Sequence, residues 1–251
     1  VQNKQKIVII GATSAMAEQC ARLWVQGGKA VELVLVGRNA GRIEPIASDL
    51  RVRSPQSDIQ VLESEFLQAA AIQATADSIA AAGPVDVVLI AHGSLPEQAD
   101  CQNDLAACHE ALVVNGVSPV LFAEAFAQHM SKAGNGTLVL IGSVAGDRGR
   151  KSNYVYGSAK GLVTRYAQGL QHRFAGTGVK VVLVKPGPTN TPMTAHLKSG
   201  GAKLAPVADV AQQIVDAVGR GQAVAYVPGK WRVIMMVIRH LPAFVFNKLN
   251  I

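Results

Sequence analysis

Short runs made almost wholly of Val, Ile and Leu recur along the chain, at Ile7–Ile10, Val31–Val36, Ile59–Leu62, Val85–Ala91, Thr137–Ile141, Val179–Val184 and Ala223–Val227. Continuous apolar runs of this length mark strands buried on both faces, as in a parallel sheet covered by helices. Helical spacing of apolar residues fills the gaps, near Ala15–Gln26, Ala40–Arg53, Ala69–Ala82, Asp104–Lys132, Tyr154–Phe174 and Ala208–Gly219. This β-α-β-α order predicts an α/β fold, a doubly wound Rossmann-type parallel sheet with right-handed crossovers. No linker rich in Pro, Gly or Ser, no internal repeat and no low-complexity tract divides the chain, so a single domain over residues 1–251 is expected.

The segment 229–251 within that domain breaks the pattern. Trp231–Ile251 reads WRVIMMVIRHLPAFVFNKLNI, apolar blocks punctuated by Arg232, Arg239, His240 and Lys248 and broken by Pro242. Such a mixture suits an interfacial element in peripheral contact with a membrane. It equally suits a subunit interface or a helix that covers the core.

Composition supports a globular chain: 49% of the residues are apolar, enough for a substantial core, and 16% are charged. The formal charge is +7. A phosphorylated cofactor needs cations, and a surface can simply be basic. No zinc spacing, nucleic-acid motif or basic stripe interleaved with aromatics is present, so neither a metal nor a nucleic-acid partner is expected. Cys20, Cys101 and Cys108 are odd in number and form no CxxC pair, which suits free thiols in a reducing compartment. Val1–Lys6 is polar and leads straight into an apolar strand, without a signal-peptide pattern. No apolar run reaches the roughly 18 residues of a spanning helix. A cytoplasmic location is expected, with the inner membrane face as a possible site of contact.

Chemistry first shows in the turn after the first strand, Gly11-Ala12-Thr13-Ser14-Ala15-Met16-Ala17. Gly11 permits a tight strand-to-helix turn, and small residues at 15 and 17 let backbone approach a phosphate and helix pack on strand. The helix N-terminus offers free N–H groups to an anion. The spacing is Gly-x3-Ala-x-Ala; alanine avoids positive φ, so the turn at Ala15 must stay in helical or extended space. An ordinary small turn would read similarly. Gly37-Arg38-Asn39 closes the second strand. A dinucleotide enzyme selective for NAD often places a carboxylate here for the ribose 2′-hydroxyl, whereas the guanidinium of Arg38 suits a 2′-phosphate and points to NADP(H).

Tyr156-Gly157-Ser158-Ala159-Lys160 is a Tyr-x3-Lys pair at the start of a helix, one turn apart on one face. A neighbouring ammonium favours phenolate and moves a phenol toward a useful acid/base range. Tyr154 has Ser158 at that spacing and lacks a cation. Ser143 lies thirteen residues before Tyr156, just past a strand, where a hydroxyl can meet a reacting oxygen. Asn115 places an amide among apolar residues, suited to a water chain reaching Lys160.

These residues resemble the short-chain dehydrogenase/reductase family over nearly the whole chain. The resemblance implies a catalytic set of Ser143, Tyr156, Lys160 and Asn115. It implies a nicotinamide cofactor, NADP(H), held by Gly11, Thr13, Ser14, Ala15, Met16, Ala17, Arg38 and Asn39. Glu65-Phe66 match an acidic-apolar pair at the adenine; Ala91, His92 and Gly93 follow the fourth strand. Pro186, Gly187, Thr189 and Thr191 belong near the nicotinamide, together with Tyr156 and Lys160. The family's Asn-Asn-Ala-Gly is Ile90-Ala91-His92-Gly93 here, a departure that brings in His92, expected as a hydrogen-bonded structural histidine. Homo-oligomers, dimers or tetramers, form in the family through the helices that carry Asn115 and Tyr156.

Ser143–Tyr156, Met193–Lys198 and Trp231–Ile251 further resemble a subgroup of that family, the decaprenylphosphoryl-2-keto-ribose reductases, which reduce polyprenyl-phosphate-linked keto sugars in cell-envelope biosynthesis beside a partner flavin oxidase. On that resemblance Arg148, Arg150, Lys151 and His196 become candidates for the substrate phosphate, since charge-assisted bonds from such a cluster hold phosphate oxygens. A solvated basic loop is the bland reading. Reduction of a 3-oxoacyl thioester, small ketone or steroid, or silent NADP binding, are the alternatives.

Overall fold

The computed structural model describes residues 4–195 and 203–249. Strands β1 (Gln5–Ile10), β2 (Val31–Gly37), β3 (Asp58–Glu63), β4 (Val87–Ile90), β5 (Asn135–Ile141), β6 (Gly178–Pro186) and β7 (Val224–Val227) form one parallel sheet in the order β3-β2-β1-β4-β5-β6-β7. Each apolar run became a strand, with ends moved by one or two residues.

Helices α1 (Ala15–Gln26), α2 (Ala40–Arg53), α3 (Ala69–Ala81), α4 (Gln98–Asn103), α5 (Leu105–Leu112), α6 (Ser118–Ala133), α7 (Tyr154–Arg173) and α8 (Val207–Gly219) connect or flank the strands. Two more, α9 (Lys230–His240) and α10 (Ala243–Phe246), follow β7. Strand alternation sends Ile7, Ile9, Leu33 and Leu35 to a core shared with residues of α1, α2 and α8. Val8, Ile10, Val34 and Val36 point the other way, onto residues of α3, α6 and α7. Both faces are thus dry, which is why the strands need no polar alternation. Phe122 and Phe126 of α6 are among the largest fully buried side chains; truncating either to alanine would cost about 3–5 kcal/mol.

Two features sharpen the sequence reading. The helix expected over Asp104–Lys132 is α5 and α6 joined through a π-helical turn, Val113–Val117, with Asn115 at its centre. The resulting stretch Leu105–Ala133 is long and apolar enough by composition to cross a membrane, with a mean hydropathy of 1.4 over an 18-residue window within it. It is instead a core helix: Phe122, Ala123, Phe126, Ala127 and Met130 are buried in the layer with α3 and the sheet. The second is α9, a regular helix in the segment for which a core-covering helix is one of three readings. All three cysteines are free, and burial pushes the Cys20 thiol up to about 12, which leaves it inert.

Candidate active site

The strand order reverses direction between β1 and β4, so the connections after these strands diverge and open a crevice at their C-terminal ends. Gly11 begins its floor with φ +87, and a Cβ there would stand 2.7 Å from the His92 backbone nitrogen. Only glycine allows that approach. Ser14 is the N-cap of α1 in extended conformation, its hydroxyl unused by the helix, and among the described residues none other than glycine has positive φ. The Ala15 and Ala17 substitutions in the turn are therefore accommodated without strain. Thr13, Ser14, Ala15 and Met16 line the crevice. Ala17 lies beneath it, fully buried in the core.

Arg38 reaches the crevice mouth from the end of β2 and is exposed; among the described residues it has no ion pair or hydrogen-bonded partner. Asn39 serves the next helix instead of the crevice, since its Oδ1 accepts the Arg42 N–H at 3.0 Å and caps α2. Glu63 accepts the Ala40 N–H at 2.8 Å at the same helix end. Glu65 also departs from its expected place. Its carboxylate accepts the N–H groups of Phe66 and Leu67 at 2.7 and 3.0 Å, and the crevice wall is made by Phe66 and Leu67 instead. Leu67 was missed in the sequence because nothing distinguishes it from a core leucine. Among the described residues, no Asp or Glu lines the crevice.

His92 packs edge-on against Phe66 and Phe122. Ser118 donates its hydroxyl hydrogen to Phe66 O at 2.6 Å, so its oxygen accepts from His92 Nε2 at 2.9 Å. This chain of bonds assigns the Nε2–H tautomer. Burial, with Lys160 and Arg38 nearby, lowers the His92 pKa to about 3, so the ring stays neutral. Its Nδ1 is left without a partner among the described residues.

The crevice continues into a second pocket through Ser14, Met16, Ala91, His92, Gly93, Thr191 and Met193. Here Ser143, Tyr156, Lys160 and Asn115 converge with Pro186, Gly187 and Thr189. Ser143 follows β5 and accepts the Ala145 N–H at 3.1 Å, which leaves its own hydrogen for Tyr156, to which it is hydrogen-bonded. Tyr154 lies exposed outside this pocket.

Lys160 is buried, and its Nζ donates to Ile141 O at 3.0 Å. Burial lowers its pKa to about 8. Its ammonium lies 5.9 Å from the Tyr156 ring centroid. The expected lowering of the Tyr156 pKa is not what this geometry produces. Burial raises it, and the hydrogen bond from Ser143 opposes that rise without overcoming it. The reason is desolvation: phenolate loses its hydration in the pocket, and the nearest cation is itself turned to a backbone carbonyl.

Asn115 ties the π-helical turn to the loop after β4. Its Oδ1 accepts the Ser94 N–H at 2.9 Å, and its Nδ2 donates to Ala111 O at 2.9 Å and to Ser94 Oγ at 3.2 Å. Both amide donors are thus occupied, so the side chain holds the pocket wall rather than donating to a water chain. Gly93 packs against it, where a Cβ would stand 2.8 Å from Asn115 Oδ1.

The four substrate candidates part company. Arg148 Nη1 donates to Ile238 O at 2.6 Å and Leu241 O at 2.7 Å, and its guanidinium covers the Phe246 ring at 3.7 Å. It caps α9 and does not line the pocket, because the carbonyls at a helix C-terminus attract a cation. Lys151 is exposed and outside the lining; His196 lies outside the described residues. Arg150 alone lines the pocket, half-buried, with its Nε shielded and unpartnered among the described residues. Burial lowers its pKa, and the charge of Asp147, itself bonded to Lys185 and Tyr226, opposes that fall without overcoming it. Trp231 of α9 closes the far wall against Gly187, where any Cβ would overlap the indole.

The sequence model of the short chain dehydrogenase family matches residues 5–201. An uncharacterized oxidoreductase of Mycobacterium tuberculosis is 32% identical over 246 residues, covering 97% of this chain and 96% of that protein. One from Streptomyces coelicolor is 31% identical over 250 residues, covering 98% and 96%. A short-chain dehydrogenase from Sphingobium yanoikuyae, solved in complex with NADPH, shares the fold at 20% identity, with a TM-score of 0.81 over 98% of this chain and 96% of that one. With the switch-point crevice opening onto the Ser143–Tyr156–Lys160 pocket, these matches show that the chain belongs to the short-chain dehydrogenase/reductase family, as an oxidoreductase acting on the alcohol/carbonyl pair.

Proposed function

We propose that this chain is an NADPH-dependent ketoreductase whose substrate carries an anionic group beside the ketone, most specifically the phosphate of a polyprenyl-phosphate-linked 2-keto sugar. The observation that carries the proposal is Arg150, a half-buried cation in the catalytic pocket whose Nε has no hydrogen bond among the described residues, and whose neighbouring carboxylate, Asp147, is already bonded to Lys185 and Tyr226. Burying a guanidinium N–H without a hydrogen-bond acceptor is costly, and a bound anion would relieve that cost.

The crevice fits NADPH by its donors. The N-terminus of α1 offers backbone N–H groups for the pyrophosphate, and unpaired Arg38 suits the 2′-phosphate in a crevice without described carboxylates. When bound, the cofactor supplies hydride to the carbonyl carbon. When substrate enters, the Ser143 hydrogen turns from Tyr156 to the carbonyl oxygen, in a bond that strengthens as negative charge develops there. Tyr156 gives that oxygen its proton; a raised pKa keeps the phenol in the protonated state an acid requires. Lys160 holds positive potential behind it, and Asn115 fixes the wall. In the oxidative direction each proton movement reverses.

On this reading the enzyme works in the cytoplasm at the inner membrane face, and a flavin oxidase supplies the 2-keto group. It works as a homo-oligomer through α5–α7, where Leu105, Leu112, Val117 and Leu162 are exposed. Mixing the protein with NADPH and a polyprenyl-phospho-2-keto-pentose should consume the reduced-nicotinamide absorbance. Turnover of neutral ketones and 3-oxoacyl thioesters with none of this substrate would replace the sugar reading by the thioester or small-ketone one.

A further inference from the structure

We propose that α9 and α10 form a docking face for an anionic bilayer surface. Helix α9 has two apolar sides. Trp231, Met235 and Ile238 recur at helical spacing on the inner side, with Met235 fully buried and Trp231 lining the catalytic pocket. The outer side is apolar as well. Val233, Met236 and Val237 are 60%, 57% and 54% exposed, and Phe244 of α10 is 71% exposed. Large apolar side chains gathered on one exposed helical face mark a contact surface.

Cations border this stripe. At about 100° per residue, Lys230 falls on one flank of Val233, Met236 and Val237, and Arg232 and Arg239 fall on the other. Lys248 follows α10, and residues 229–249 contain no Asp or Glu. An apolar strip between cationic flanks is the surface of a helix lying in the plane of a membrane, with its apolar side chains in the acyl boundary and its cations among anionic headgroups. A second copy of the chain is the rival occupant. A twofold contact through this face would set Lys230, Arg232 and Arg239 against their own copies without a carboxylate between them. The charge pattern therefore selects the bilayer. Because the inner side of the same helix carries Trp231 and its last carbonyls are capped by Arg148, docking brings the catalytic pocket up against the lipid surface. The inference rests on this helix surface and not on the substrate proposed above.

The test is cosedimentation of the full chain with vesicles of phosphatidylglycerol and phosphatidylcholine, set against vesicles of phosphatidylcholine alone. Binding to the mixed vesicles should be stronger by about tenfold or more. A Val233→Ser/Val237→Ser variant and a Lys230→Glu/Arg232→Glu variant should each weaken it by about tenfold or more. Both should keep the wild-type thermal midpoint and the wild-type rate on a soluble ketone in vesicle-free buffer. Absence of binding to the mixed vesicles, or binding undiminished in both variants, overturns the proposal. A fall in oligomeric order of the Val233→Ser/Val237→Ser variant in sedimentation velocity overturns it in favour of a second copy. Vesicle-free turnover keeps the two readings apart: its failure with vesicle binding intact strikes the reductase assignment alone.

Discussion

Replacing Lys160 by methionine separates its electrostatic cost from its chemical use. The folded chain holds this ammonium at a pKa of about 8, against an ordinary 10.5, because burial strips its water and Ile141 O is its one hydrogen-bond partner among the described residues. That difference corresponds to roughly 3 kcal/mol of strain carried by the folded state at neutral pH. The sign follows from proton counting. Between pH 8 and 10.5 the unfolded chain holds a proton on Lys160 that the folded chain has released, so stability rises with pH across this window. Lys160→Met removes the titration. Its stability at pH 7 should lie near that of the wild type or above it, since the lost hydrogen bond, worth about 1.5–3 kcal/mol, offsets much of the relief. The informative quantity is the slope: the wild type should gain on the variant by up to roughly 3 kcal/mol as pH rises from 8 toward 10.5. Urea unfolding at pH steps from 7 to about 10 measures it, and the tyrosines common to both proteins cancel in the difference. Parallel curves over that range would refute a desolvated Lys160. Below pH 8, where the folded wild type keeps the ammonium, activity should fall on the order of a hundredfold or more because the positive potential behind Tyr156 is gone, and the gap should narrow above that pH as the wild-type Lys160 releases its proton.

Tyr156→Phe should lower kcat by a factor of about 10²–10⁴ while cofactor binding, followed by nicotinamide fluorescence, stays intact. Arg38→Ala should raise the KM for NADPH by about tenfold or more and leave that for NADH nearly unchanged, because charge-assisted bonds to phosphate are worth about 1.5–3 kcal/mol. Steady-state kinetics with the two cofactors decides, and equal losses with both would remove the 2′-phosphate role. Arg150→Gln should raise the KM for a phosphate-bearing ketone by about tenfold or more and spare a neutral one; a loss that ignores substrate charge would mark Arg150 as structural.

What the sequence disclosed follows from how local each signal is. Strands announced themselves because both faces of the sheet are dry and every residue of a run must be apolar. Tyr156 and Lys160 were legible because four residues along a helix is a fixed spatial relation, and Ser143 because it ends an obvious strand. The roles of Asn39, Glu65 and Arg148 were not legible. Each carries a group suited to a ligand, and each uses that group on a helix end or turn: Asn39 on the Arg42 N–H in the first turn of α2, Glu65 on the N–H groups of Phe66 and Leu67, Arg148 on carbonyls at the C-terminal end of α9. Backbone groups at such ends compete for the same chemistry as a cofactor, and a sequence shows the side chain without its nearest unsatisfied neighbour. The π-helical turn at Asn115 was hidden for a different reason. One added residue in a helical turn leaves the apolar spacing almost unchanged while it turns the amide toward Ser94.

Arg148 also ties the turn after Ser143 to the C-terminal helix. The turn begins at Ser143, whose oxygen holds the Ala145 N–H, and ends at Asp147 and Arg148. Asp147 is paired with Lys185 in the interior and accepts the Tyr226 hydroxyl at 2.7 Å. Lys185 immediately precedes Pro186-Gly187, the opposite wall of the pocket. The next residue, Arg148, grips α9, which in turn presses Trp231 against Gly187. A buried ion pair stabilises little, because desolvation cancels most of its attraction. A well-packed apolar pair would serve the core as well, yet it would leave the turn free to slide along β6. The directional bonds of Asp147 to a strand on one side and of Arg148 to a helix on the other fix where Ser143 stands relative to Tyr156 and the Pro186-Gly187 wall. In the proposed reduction, a hydroxyl that must meet one developing oxygen needs that register more than the fold needs the energy.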